Sequence, residues 1–112
     1  MNKALVYVIV GVFMGLALFG TMNPAVAEYG QGKGLYEEKC ASCHGTNGDG
    51  KGPVASIFSP GPSDFRTPGF WQGNVNQKIT NTVENGHGPM PAIDLSPSQI
   101  KAIIDYMSHT FK

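Results

Sequence analysis

Cys40-Ala41-Ser42-Cys43-His44 is the stretch whose residue types and spacing point most directly to chemistry. Each thiol can add to one vinyl group of a porphyrin, which fixes the ring at two points. The imidazole that follows is then held close to the iron and can ligate it as the proximal axial ligand. Three functional groups at fixed spacing are needed for this, so the signal is specific, and its single occurrence predicts one covalent haem c. Other readings of the pair are weaker. A disulfide across two residues closes too small a loop to stabilise much. A thioredoxin-like redox pair needs a βαβ setting, and no strand pattern precedes Cys40. Structural zinc needs four ligands, and there is no second cysteine pair.

Haem iron has a second face. The candidates to ligate it are Met90, Met107, His87 and His109. Met107 lies on the apolar stripe of a helix, where methionine is usually core filling. His109 falls on the polar side of that helix. The choice is between Met90 and His87. A neutral thioether is a weak ligand that needs a stiff mount, and Pro89 and Pro91 restrict the backbone on both sides of Met90. His87 stands between Gly86 and Gly88, a less rigid mount, and stays as the alternative.

Three helices must position these groups. The first is expected over residues 34–42, leading into Cys40. The second is expected over 75–84, where Val75, Ile79 and Val83 recur every four residues, with Asn74 as N-cap and Gly86 just past the end. The third should run to about residue 110 from the Ser96 cap and Pro97. Its Ile100, Ile103, Ile104, Met107 and Phe111 form one apolar stripe. Residues 44–73 form a long loop dense in Gly, Pro, Ser and Asp, and a loop of that length in a small domain wraps something or carries function.

Residues 1–27 read as a secretory signal. Lys3 is followed by 17 residues without charge, and Ala25-Val26-Ala27 makes a small-x-small cleavage site. Cleavage leaves residues 28–112 as the functional domain, 85 residues in all. The alternative is an uncleaved membrane tether through residues 4–20, since the apolar run approaches the length of a span. The mature part carries seven Lys plus Arg against eight Asp plus Glu, with no basic stripe, which argues against nucleic acid. It also holds twelve Gly and seven Pro, too loop-rich for a strong core of its own, so haem is expected to fill its middle.

With these residues assembled, the chain resembles the class I, single-haem cytochrome c family of bacterial type from about Gly32 to Phe111. Gly32 and Tyr36 match the small residue and aromatic that precede the haem cysteine, and the resemblance implies that they pack on Tyr106. The run from Cys43 to Pro53 is similar to the bacterial branch, which implies that the Pro53 carbonyl accepts the hydrogen bond of the proximal His44. The segment 85–91 is similar to the distal loop and implies Met90 as sixth ligand. Phe70-Trp71 resembles the aromatic beneath the haem, and Trp71 is left between core packing and haem contact. The implied fold is all-α, a small cytochrome c fold with three main helices and loops around one covalent haem. The implied function is single-electron transfer rather than enzymatic turnover. A monomeric, exported (periplasmic) carrier is expected, meeting redox donors and acceptors transiently. The alternative is a haem domain whose distal side opens to act as a gas-binding sensor or enzyme accessory.

Overall fold

A computed structural model describes residues 20–112, so the charge-free run over residues 4–19 lies outside the described residues. Four α-helices follow in order: α1 (Pro24–Lys39), α2 (Ala41–His44), α3 (Val75–Asn85) and α4 (Pro97–Phe111). The architecture is all-α, and among the described residues the only β pairing is an isolated bridge between His87 and Met90.

α1 starts ten residues before the expected position. Three glycines, each costing about 1 kcal/mol relative to alanine in a helix interior, argue locally against it. Tertiary contacts with α4 outweigh that cost. Gly32 lies so close to α4 that a Cβ there would fall on the Ala102 carbonyl oxygen. The Tyr29 ring packs on Tyr106 at 5.3 Å, and the Glu28 carboxylate meets Lys101 Nζ at 2.6 Å. The start itself is locally encoded, because Asn23 accepts from Ala25 N–H and Pro24 occupies the first turn.

At Cys40 the chain leaves the helix (φ −120°) and re-enters it as α2, so the expected first helix is broken within the motif itself. α3 and α4 lie where the periodicity places them, each ending one residue later than expected. Ser96 and Gln99 cap α4 reciprocally, Ser96 Oγ accepting from Gln99 N–H and Gln99 Oε1 from Ser96 N–H. Asn74 holds the N-cap position of α3, but its side chain donates to Gln77 Oε1 at 3.2 Å and makes no capping bond.

The loop over residues 45–73 is bound down by backbone hydrogen bonds to α2. Gly50 N–H donates to the His44 carbonyl, Gly52 N–H to Cys43 and Val54 N–H to Ser42, at 2.8–3.1 Å. Two short 3-10 turns, Ala55–Ile57 and Pro68–Trp71, complete it. The core joins Tyr36 of α1, Phe65 and Trp71 of the loop, Ile79 and Val83 of α3, and the whole stripe of α4. Met107 is 2 % exposed within that stripe, as a core residue is.

Candidate cofactor site

Cys40, Cys43 and His44 are gathered at the break between α1 and α2. The Cys40 N–H still donates to the Tyr36 carbonyl at 2.8 Å, while the Cys40 carbonyl accepts from His44 N–H at 2.9 Å. Cys40 stands at the junction itself, while Cys43 and His44 lie in α2. Both are free thiols and half-buried. Burial, reinforced by the neighbouring Cys43, pushes the Cys40 thiol up to about 12. That shift disfavours the thiolate at Cys40, the form a nucleophilic thiol needs.

His44 is oriented by two contacts. Its Nδ1 lies 3.1 Å from the Ser63 carbonyl oxygen. A carbonyl only accepts, so Nδ1 carries the proton and Nε2 keeps its lone pair free for a metal. Burial holds the imidazole below its ordinary value, with the Ser63 bond pulling the other way. The ring therefore stays neutral at pH 7, the form that can ligate. The Phe65 ring stacks on it at 4.4 Å between centroids and 20° between planes.

The expected acceptor from His44 was the carbonyl of Pro53, and the structure corrects this to Ser63. Pro53 is held elsewhere. The hydrogen bonds from Gly52 and Val54 to the Cys43 and Ser42 carbonyls pin its backbone along α2, and it is the later return of the loop at Ser63 that brings a carbonyl to the imidazole. Neither Ser63 nor Phe65 was singled out in the sequence. Phe65 leaves one usable trace there, one of four aromatics (with Phe58, Phe70 and Trp71) in a loop otherwise dense in Gly, Pro, Ser and Asp, a large apolar side chain that must bury itself against something.

Trp71 is buried, and its Nε1–H donates to the Phe65 carbonyl at 2.6 Å. It thus reaches His44 only through Phe65. Trp71→Phe keeps most of the apolar area but orphans that carbonyl, so the holoprotein should lose about 1–2 kcal/mol in guanidinium unfolding. Tyr36 is fully buried at the meeting of the helices, with ring centroids 5.5 Å from Tyr106 and 5.2 Å from Phe111. Its hydroxyl donates to the Gly45 carbonyl at 2.7 Å, and burial drives its ionisation well above the ordinary tyrosine range.

Met90 closes the turn that follows α3. Its N–H donates to the His87 carbonyl at 3.0 Å, and His87 N–H donates back to the Met90 carbonyl at 2.9 Å. Three residues later, Ile93 N–H is anchored on the Val83 carbonyl. The Met90 side chain is half-buried and packs against the core. His87 is exposed, beside a shallow cavity of about 440 Å³ along the polar side of α3 with Asn74, Lys78 and Asn81. His109 is also exposed, its Nδ1–H donating to the Asp105 carbonyl within its own helix.

The residue types present at the break suit haem c: two unpaired thiols and an imidazole with only Nε2 left to give, while Met90, elsewhere in the chain, is partly buried against the core. Among the described residues no three His, Cys, Asp or Glu side chains converge to hold a bare metal ion.

Residues 27–107 match the family model described as cytochrome c oxidase, cbb3-type, subunit III. The cbb3-type cytochrome c oxidase subunit FixP of Azorhizobium caulinodans is 37% identical over 84 residues, covering 71% of this chain and 26% of that protein. The corresponding subunit CcoP of Azospirillum brasilense is 33% identical over 88 residues, 76% of this chain and 28% of that protein. The chain thus spans about a quarter of the length of each oxidase subunit. A cytochrome c6 of Chlorolobion braunii is 30% identical over 83 residues, 72% of this chain and 89% of that protein.

Proposed function

Since the chain belongs to the cytochrome c family, in the branch described as cbb3-type oxidase subunit III, we propose that it carries one haem c and passes single electrons between exported or membrane redox partners. The observation that carries this reading is the placement of His44 beside two unpaired thiols, with Nδ1 spent on the Ser63 carbonyl and Nε2 left free.

Cys40 and Cys43 would hold the group, each S–H adding across a vinyl so that sulfur bonds one carbon and the hydrogen passes to the other. Haem c, when bound, supplies the one-electron redox step itself. His44 would give its Nε2 lone pair to the iron, and the Ser63 carbonyl raises the basicity of that nitrogen by drawing on the Nδ1 proton. Met90 would supply the second ligand. Its support is the doubly bonded turn, the flanking prolines and the packing of its side chain on the core, where His87 is exposed. A soft sulfur donor favours the reduced state relative to a second imidazole. Phe65 covers one face of His44, and Trp71 backs Phe65, which lowers the polarity beside the ligand and disfavours added positive charge in the oxidised state.

The partner class is redox proteins, a reading supported by the likeness to oxidase subunits and to nearly the whole of a cytochrome c6; that the chain is a monomer meeting them transiently is part of the proposal. Export proceeds through residues 1–27, with cleavage after Ala27. Among the described residues no helix is long and apolar enough to cross a membrane, and a tether would lie in residues 4–20. Cleavage there removes the first turn of α1 but leaves Glu28 and Tyr29, whose contacts with α4 secure the new helix end.

The mass of the denatured holoprotein tests this directly. It should equal a chain beginning at Glu28 plus one haem, and the doubly substituted Cys40→Ala, Cys43→Ala protein should retain none. Loss of haem from the wild type on denaturation overturns covalent attachment. An intact N-terminus favours the tether.

A further inference from the structure

Phe65 is where three parts of the chain converge on one side chain. Its N–H donates to the Gly48 carbonyl at 2.7 Å, and its carbonyl accepts from Trp71 Nε1 at 2.6 Å. On either side of it, Asp64 Oδ1 accepts from the backbone N–H of Arg66, and the Arg66 guanidinium closes on both carboxylate oxygens at 3.0–3.1 Å. The ring is 6 % exposed and touches Phe70 at 4.9 Å, with Tyr36 and Phe111 beyond. Its one flat face-to-face partner at short range is the imidazole of His44.

We propose that Phe65 is a positioning residue for His44, its stacked ring setting the rotation of the imidazole plane about the Cβ–Cγ bond. The inference rests on the reading of His44 as a ligand and adds what fixes that ligand's plane. The Ser63 hydrogen bond cannot do this alone. It ties one atom, and the angular preference at a carbonyl oxygen is broad, so the ring can still tilt around that point. A parallel ring at 4.4 Å lies at the near edge of the roughly 4.5–7 Å range of aromatic pairs and blocks that motion on one face. Phe65 itself cannot follow a tilting imidazole, because both its backbone groups are committed. An ordinary core aromatic would need neither the parallel geometry nor a backbone tether from Trp71. The imidazole plane governs how its π orbitals overlap those of the iron, so the effect is electronic as well as mechanical.

Proton NMR of the ferric holoprotein reads that plane through the shifts of the haem ring methyls. In Phe65→Leu and Phe65→Met these shifts should move and draw together, as the imidazole samples more than one orientation. Phe111→Leu removes a core aromatic that does not stack on His44 and should unfold earlier while leaving the methyl pattern as in wild type. If both Phe65 variants keep the wild-type pattern and merely unfold earlier, as Phe111→Leu does, Phe65 is only core and the proposal fails. If neither variant yields holoprotein, the wild type decides. Overhauser contacts between Phe65 ring protons and the His44 side chain are expected, and their absence overturns the proposal. A wild-type spectrum without the shifted protons of an axial histidine would instead show that the ligation reading has failed, and this inference with it.

Discussion

Met90→Ala is expected to abolish the weak long-wavelength sulfur-to-iron band of the ferric holoprotein, lower its reduction potential, and let the reduced protein bind carbon monoxide rapidly. The sign follows from the ligand. A thioether donates weakly to ferric iron and shares density well with ferrous iron, so removing it costs the reduced state more. Axial ligands and their surroundings move haem potentials over roughly 0.8 V in all, so the drop should be a sizeable part of that range. Alanine also vacates a position that a stiff turn holds filled, which gives the gas its access. The fold should survive. Met90 is half-buried, and the turn is closed by backbone bonds between residues 87 and 90 and anchored by Ile93 on Val83, all independent of the side chain. His87→Ala is the companion variant. It should leave band, potential and gas inertness unchanged, since that side chain is exposed beside α3. A band that persists in Met90→Ala would move the ligand to another methionine sulfur, whereas a wild type without the band, with a potential that shifts in His87→Ala and not in Met90→Ala, would give the place to His87. Rapid carbon monoxide binding by the reduced wild type would favour a gas-binding domain over a carrier.

What could be read in the chain beforehand divides along physical lines. The Cys40–His44 spacing, the α4 stripe and the Ser96-Pro97 start are each set by neighbours a few residues away, and each is found where expected. Met107 on that stripe was separable from Met90 by periodicity alone, and it is core. The features that escaped depend on contacts far apart in sequence. α1 runs through Gly30, Gly32 and Gly34 because α4, seventy residues later, packs on it. Which carbonyl meets His44 depends on how a loop of some twenty residues folds back. Resemblance pointed to Pro53, whereas the loop brings Ser63 instead. Phe65 was invisible as a site residue because an aromatic in a polar loop announces burial but not its partner. Local chemistry is legible; the path of the chain that aims it is not.

Gly32→Ala is expected to destabilise the holoprotein strongly, while Gly30→Ala, two residues away on the same helix, should stabilise it. Both changes remove backbone entropy from the unfolded chain and improve helix propensity, together worth about 0.5–1 kcal/mol in favour of folding. At Gly30 nothing lies within 4 Å of the added Cβ, so that gain stands alone. At Gly32 the Cβ would collide with the carbonyl oxygen of Ala102 and come within 3.0 Å of Tyr106 Cβ. The obstacle is backbone of a packed helix rather than the end of a flexible side chain, so α1 and α4 must move apart. Overpacking of a core costs about 1–3 kcal/mol, and separating the principal helix pair should reach the top of that range or pass it. The clash therefore exceeds the propensity gain severalfold, and the two substitutions should shift the guanidinium midpoint in opposite directions. The consequences spread because Tyr106, next to the clash, packs at a tilt against both Tyr29 and Tyr36, and Tyr36 leads through its carbonyl directly to the Cys40 N–H. Gly32→Ala should therefore also lower the yield of haem-loaded protein, since the helix that presents Cys40 no longer seats. Equal midpoints for the two variants would show that α1 does not pack on α4 at Gly32.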